Sequence, residues 1–170
     1  TSVYSELGIG TTFKLYFPAS TDAPDQSNLE ETPKELNRMD KKSTILLVED
    51  NAEVLKAIRT TLLKSGYRVL SATSGDAAMK IFNDEPVIDL LLTDIVMPGE
   101  LQGTTLARAL RDLRHDLPVI FMSGYAREAT FHGNGLHPED IRLMKPVRRE
   151  ELLSAITKAL LRGEDSVIKN

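Results

Sequence analysis

The chain has 170 residues, no cysteine and no tryptophan, and a formal net charge of −4 at a pI near 5.4. That length holds one ordinary domain plus additional segments. The acidic balance leaves no electrostatic footprint for nucleic acid, the lack of cysteine excludes disulfides and thiolate chemistry, and no apolar run reaches the roughly 18 residues that suggest a membrane span.

Residues 1–18 read as a strand, a turn at Leu7-Gly8-Ile9-Gly10 and a second strand. In the second strand Phe13, Leu15 and Phe17 alternate with Lys14 and Tyr16, the period of a half-buried hairpin arm. Residues 19–43 are polar and charged with few large apolar groups, too few to offset the entropy of ordering, and are expected to form a flexible linker. A short helix over Glu30–Met39 is the one local element the pattern allows there.

From residue 44 to residue 162 apolar strand-length runs alternate with helical periodicity. The expected strands are Ile45–Glu49, Tyr67–Ala72, Asp89–Thr93, Pro118–Met122 and Ile141–Met144. Between them Val54, Leu55, Ile58 and Leu62, then Ala77, Ala78, Ile81 and Phe82, then Leu106, Ala107, Leu110 and Leu113 recur at helical spacing. Leu152, Leu153, Ile156 and Leu160 mark a last core-facing helix. Ser74 has the residue type and place of an N-cap. The stretch from Tyr125 to Pro138 has two glycines and weak periodicity, so a short or irregular helix is expected. Continuous apolar strands joined by helices imply a doubly wound, five-stranded parallel sheet covered on both faces. Residues 163–170 are expected to be a tail.

Four segments end in polar groups suited to phosphate chemistry: Glu49 and Asp50 after the first strand, Asp94 after the third, Ser123 after the fourth and Lys145 after the fifth. In an open parallel sheet the carboxyl ends of the strands form the binding crevice, so these groups should converge. Three carboxylates in one pocket repel one another, and a hard dication, Mg²⁺ or Mn²⁺, relieves that repulsion. Asp94 is then placed to be both metal ligand and nucleophile toward phosphorus, with the Lys145 ammonium and the Ser123 hydroxyl sharing developing charge. A cis Lys145-Pro146 peptide would aim the lysine into the pocket.

Taken singly these residues have plainer readings. Glu49-Asp50 would be a solvated strand–helix junction, and Ser123-Gly124 or Lys145-Pro146 a turn. Their order on successive strand ends is what singles them out. His115, in Arg114-His115-Asp116-Leu117, precedes a strand rather than lying on a long dimerising helix. His132 and His137 lack a third soft ligand, and Arg148-Arg149-Glu150-Glu151 reads as a solvated first helical turn.

The segment 44–162 resembles the receiver domains of two-component phosphorelay systems, over about two-thirds of the chain. The resemblance implies a flavodoxin-like sheet of order 2-1-3-4-5 and a module that takes a phosphoryl group from a phosphohistidine. It implies Asp94 as phosphoacceptor, Asp50 as direct metal ligand with Glu49 supporting it partly through water, and the backbone carbonyl of Val96 as the remaining protein ligand. Ser123 would be the switch hydroxyl and Lys145 the phosphoryl-binding lysine; Met97-Pro98-Gly99 and Gly103 match the loop after the acceptor. Arg142 stands where members of the family often carry an aromatic residue, and Tyr125 is a candidate for a related part. The segment SELGIGTTFKLYFP is similar to the final hairpin of the ATP-binding domain of sensor histidine kinases. On that resemblance the chain is the carboxyl-terminal part of a hybrid sensor histidine kinase, itself without kinase activity, from a cytoplasmic region of a parent that is membrane-anchored or not. Its partners would be a histidine kinase core or a histidine phosphotransfer protein, with no nucleic acid and no direct membrane contact. The alternative is a phosphohydrolase of the haloacid dehalogenase type, which also uses an aspartate nucleophile and Mg²⁺ but wants a second acid two positions later, where this chain has Val96.

Overall fold

A computed structural model describes residues 2–6, 8, 10–14, 43–124 and 137–167. The chain divides into two units, residues 1–39 and 40–170.

In the first unit β1 (Ser2–Glu6) pairs antiparallel with β2 (Gly10–Lys14), Ser2 opposite Lys14 and Glu6 opposite Gly10. Gly8 and Gly10 take φ of +82° and +129°, conformations a side chain disfavours, which is why this turn uses glycine. Across the pair Ser5 Oγ and Thr11 Oγ1 lie 2.8 Å apart, and the Tyr4 hydroxyl donates to Glu6 at 2.8 Å. Val3 and Tyr4 are exposed. In the second strand Thr11, Thr12 and Lys14 are exposed; the Phe13 side chain, Leu15 and Phe17, on which the half-buried reading rests, the expected helix over Glu30–Met39 and most of the expected linker lie outside the described residues.

The second unit is the expected parallel sheet. Its strands are β3 (Thr44–Val48), β4 (Arg68–Ala72), β5 (Leu90–Asp94), β6 (Val119–Ser123) and β7 (Ile141–Met144). They are ordered β4-β3-β5-β6-β7, all parallel, which is 2-1-3-4-5 counted within the domain. The four described helices of this unit are α1 (Ala52–Lys64), α2 (Gly75–Asp84), α3 (Gly103–Leu113) and α4 (Arg149–Val167). Three strands are shifted by one residue from their expected spans, and β4 begins one residue later than expected. Strands buried on both faces carry no alternation, and a terminal polar residue can belong to strand or loop.

Side chains alternate across the sheet and build two apolar layers. Leu46, Val48, Leu91 and Phe121 pack with Ala78 and Phe82 of α2 and Leu106 and Leu110 of α3. Ile45, Leu47, Leu92, Ile120 and Met122 pack on the opposite face with Ile58 and Leu62 of α1 and Leu152, Ile156 and Leu160 of α4. Leu113, expected on the apolar stripe of α3, is exposed at the helix end; Leu117, after the turn, is buried in that layer instead. Arg148 to Glu151 are exposed, as a solvated first turn requires. Helix α4 continues through Val167, five residues past the expected domain end at residue 162.

Local chemistry sets the helix ends. Ser74 caps α2, its side chain accepting from the Ala77 N–H at 3.2 Å. Asn51 caps α1, accepting from the N–H groups of Glu53 and Val54 at 3.0 and 3.2 Å; the cap is this asparagine and not Asp50. Helix α1 ends as Gly66, at φ +92°, donates to the Leu63 carbonyl and Tyr67 donates to that of Leu62, a paired closure that satisfies two free carbonyls and turns the chain into β4. At the amino-terminal rim Arg111 of α3 pairs with Asp140 at 2.5 Å and donates to the Leu117 carbonyl. Arg114 donates to the Ile88 carbonyl and lies 4.8 Å over the Phe82 ring. The expected irregular segment, with Tyr125 and His132, lies outside the described residues. His115 and His137 are exposed, and among the described residues neither belongs to a cluster that could hold a metal ion.

Candidate functional site

Adjacent strands β3 and β5 lead to helices on opposite faces of the sheet, and this switch of direction opens a crevice beyond their carboxyl ends. Glu49 follows β3 directly. Its N–H donates to the Ala72 carbonyl at 3.1 Å, so it stays in register with the sheet and is 1% exposed. Asp50, the next residue, turns outward and is exposed. Asp94 ends β5 and is 8% exposed. Its Oδ1 accepts from the Val96 N–H at 3.3 Å, so the turn after the strand wraps the carboxylate. Ser123 ends β6 and is buried. Its carbonyl accepts from the Lys145 N–H at 2.8 Å, carrying the β6–β7 pairing one residue further and bringing Lys145 to the rim. The Lys145–Pro146 peptide is cis.

The lysine bridges the two buried acids. Its Nζ donates to Asp94 Oδ2 at 2.5 Å and lies 2.7 Å from Glu49 Oε2. The single ammonium is thus shared between two buried carboxylates. Burial raises the Glu49 pKa; Lys145 opposes this by hydrogen bonding and then by charge, and the neighbouring Asp94 charge adds to it. Burial by itself would lower the Lys145 pKa, but Asp94 and then Glu49 outweigh it and raise the pKa above the ordinary lysine value.

Glu49, Asp50 and Asp94 each offer an oxygen, and these oxygens lie within 4.8 Å of one another. Three carboxylates against one ammonium leave an excess of negative charge, and all the donors are hard. That set fits a divalent cation preferring oxygen, and the exposed position of Asp50 leaves room for retained water. The solvated-junction reading of Glu49 fails, since this side chain is in the interior. All five side chains singled out from the sequence fall on this one rim. What the sequence did not reveal was the lysine bridge, the Asn51 cap beside the acids, and two close approaches of backbone. A Cβ on Gly103 would sit 1.8 Å from the Asp94 carbonyl oxygen, and one on Gly75 2.1 Å from that of Leu101. The placement of glycine at the first residue of two successive helices was the available signal.

Such a sheet, with an acidic crevice and a lysine on the carboxylate of β5, defines a phosphoacceptor module, and comparison with known proteins agrees. The response regulator receiver domain family matches residues 45–157. The chain is 35% identical to the sensor kinase CckA of Brucella abortus over 171 residues, covering 95% of this chain and 18% of that protein. It is 36% identical to the response regulator receiver protein CpdR of the same organism over 118 residues, covering 69% of this chain and 96% of the relative. Among solved structures, a response regulator receiver protein from Sinorhizobium medicae WSM419 superposes with a TM-score of 0.65 at 30% identity, covering 72% of this chain and 98% of that one. A CheY-like receiver domain protein from Methanospirillum hungatei JF-1 gives 0.65 at 28% identity, covering 74% and 99%. The chain belongs to the response regulator receiver family and is a phosphoacceptor module of two-component signalling. It spans less than a fifth of the kinase relative's length, and no described helix is long and apolar enough to cross a membrane.

Proposed function

We propose that Asp94 is the phosphoacceptor and that Lys145, Ser123 and the acids Glu49 and Asp50 serve it. The carboxylate oxygen of Asp94 forms a bond to phosphorus as the P–N bond of a donor phosphohistidine breaks. The electron pair returns to the imidazole nitrogen, which takes up a proton. Lys145, already on Asp94 Oδ2 at 2.5 Å, follows the negative charge onto the phosphoryl oxygens, and Ser123 donates from the neighbouring strand end. Asp50 and Asp94 would hold Mg²⁺ or Mn²⁺ directly, Glu49 partly through water, with the Val96 carbonyl completing the protein ligands. Bound there, the ion supplies charge neutralisation between acceptor and phosphoryl group. The dehalogenase-type reading finds no support: the second position after Asp94 is Val96, half-exposed and without a titratable group.

The observation that carries this assignment is the meeting of the Lys145 amine, the Asp94 carboxylate and two further acids at a single rim. Incubation with acetyl phosphate and Mg²⁺ tests it. The wild-type chain acquires an alkali-labile phosphoryl group and Asp94→Asn does not; a variant still labelled at wild-type level would refute the assignment.

We further infer that residues 1–18 are the final hairpin of a kinase ATP-binding domain, 19–43 a linker, 44–162 the receiver and 163–170 a terminal extension that begins as helix, within a hybrid sensor kinase. The similarity to CckA over 95% of the chain supports this. The phosphohistidine would then belong to a kinase core or a histidine phosphotransfer protein, and the receiver would work in the cytoplasm.

A further inference from the structure

We propose that Thr93 is a positioning residue for phosphoryl acceptance, its buried hydroxyl fixing the peptide from which the acceptor carboxylate projects. This rests on the acceptor role of Asp94 proposed above. Thr93 is 0% exposed, the one hydroxyl in a strand that otherwise reads Leu90-Leu91-Leu92 before the acid. A valine has the same shape and would avoid burying an oxygen, which is costly unless that oxygen is bonded. Here it is bonded to the acceptor itself: Thr93 Oγ1 donates to the Asp94 carbonyl oxygen at 2.9 Å.

The rest of that peptide is held as tightly. The same oxygen is the atom that a Cβ on Gly103 would strike at 1.8 Å, so the first residue of α3 lies against it. The Ile95 N–H donates to the Met122 carbonyl at 2.9 Å, and the Ile95 carbonyl accepts from the Gly103 N–H at 3.1 Å. The Asp94–Ile95 peptide is thus held at its oxygen by Thr93, at its nitrogen by β6, and flanked by α3. The carboxylate leaves that frame with one oxygen on the Val96 N–H and the other on Lys145. Of these restraints only the Thr93 hydroxyl comes from a side chain with no other part in the site. Attack on phosphorus depends on the aim of the carboxylate, and freeing the peptide at one corner loosens that aim without removing any group that touches the phosphoryl donor.

Four variants of the full chain test this with acetyl phosphate at saturating Mg²⁺, where an Asp94 carboxylate oxygen bonds to phosphorus and acetate leaves with the pair from the broken P–O bond. Thr93→Val should be phosphorylated about five- to tenfold more slowly, the worth of one buried hydrogen bond. Thr93→Ser, which keeps the hydroxyl, should stay within about twofold of wild type. Thr93→Ala gives the same reading if valine prevents folding, which urea unfolding of each variant reports. A wild-type rate in the variants lacking the hydroxyl overturns the proposal. So does a serine variant as slow as valine, which would trace the loss to the methyl group. Asp94→Asn runs alongside: if it still takes label, the acceptor assignment fails; if it is silent while Thr93→Val is unaffected, only the role of Thr93 fails.

Discussion

Replacing Gly103 by alanine should damage both folding and phosphorylation, through one atom. The added Cβ would lie 1.8 Å from the Asp94 carbonyl oxygen, 2.9 Å from its carbon and 3.1 Å from Ile95 Cα. These neighbours are backbone and cannot swing aside. Restoring a carbon–oxygen separation of about 3.3 Å requires the start of α3 or the end of β5 to retreat by roughly 1.5 Å. Helix α3 is anchored by fully buried Leu106 and Leu110, so part of the strain stays in the site. Overpacking of this kind costs about 1–3 kcal/mol, and the upper end is expected because no side chain can absorb it. Urea unfolding monitored by far-UV circular dichroism measures the loss. Misplacing an acceptor by about 1 Å is also worth up to roughly a hundredfold in rate, so acetyl phosphate labelling should slow well beyond what the unfolded fraction explains. Gly66→Ala is the control. It meets nothing within 4 Å but holds φ +92°, so it should cost about 1–2 kcal/mol and leave the labelling rate of the folded protein unchanged. A Gly103→Ala protein within about 0.5 kcal/mol of wild type that labels normally would refute the reasoning.

Three further outcomes are expected. Asp140→Ala leaves Arg111, 14% exposed, without its partner and should destabilise by about 3–5 kcal/mol in urea, whereas Arg111→Met with Asp140→Leu should recover much of this; equal losses would contradict the buried-pair account. Glu49→Gln removes a charge disfavoured by burial, so the metal-free protein should be at least as stable as wild type while Mg²⁺ binds more weakly by titration followed by NMR; unchanged Mg²⁺ affinity would remove Glu49 from the metal site. Asn51→Ala loses two N–H acceptances and should cost about 1 kcal/mol in the same unfolding assay, with a variant as stable as wild type arguing against the cap.

Much of the domain is legible in the chain itself, because two-sided burial writes itself into strands such as Ile45-Leu46-Leu47-Val48 and helical spacing into Val54, Leu55, Ile58 and Leu62. The rim residues were legible because parallel strands all deliver their carboxyl ends to one side. Boundaries were less so: Glu49 looks polar and terminal, yet backbone pairing to Ala72 keeps it inside. Leu113 has the right spacing for the core and is exposed, since whether a helix's last residue faces the sheet depends on where the chain turns away.

The linear order of residues by itself determined the alternation of elements, the parallel sheet and the set of groups at its rim. These depend on side-chain polarity at short intervals, which any reader of the chain can see. Only the tertiary structure decided that Lys145 spans Glu49 and Asp94, that Arg111 meets Asp140 across 29 residues, and that Gly103 leans on the Asp94 carbonyl. Those contacts join residues far apart in the chain, and their distances follow from how helices settle on a twisted sheet. No local pattern encodes that settling, because it is the joint solution to packing every side chain at once.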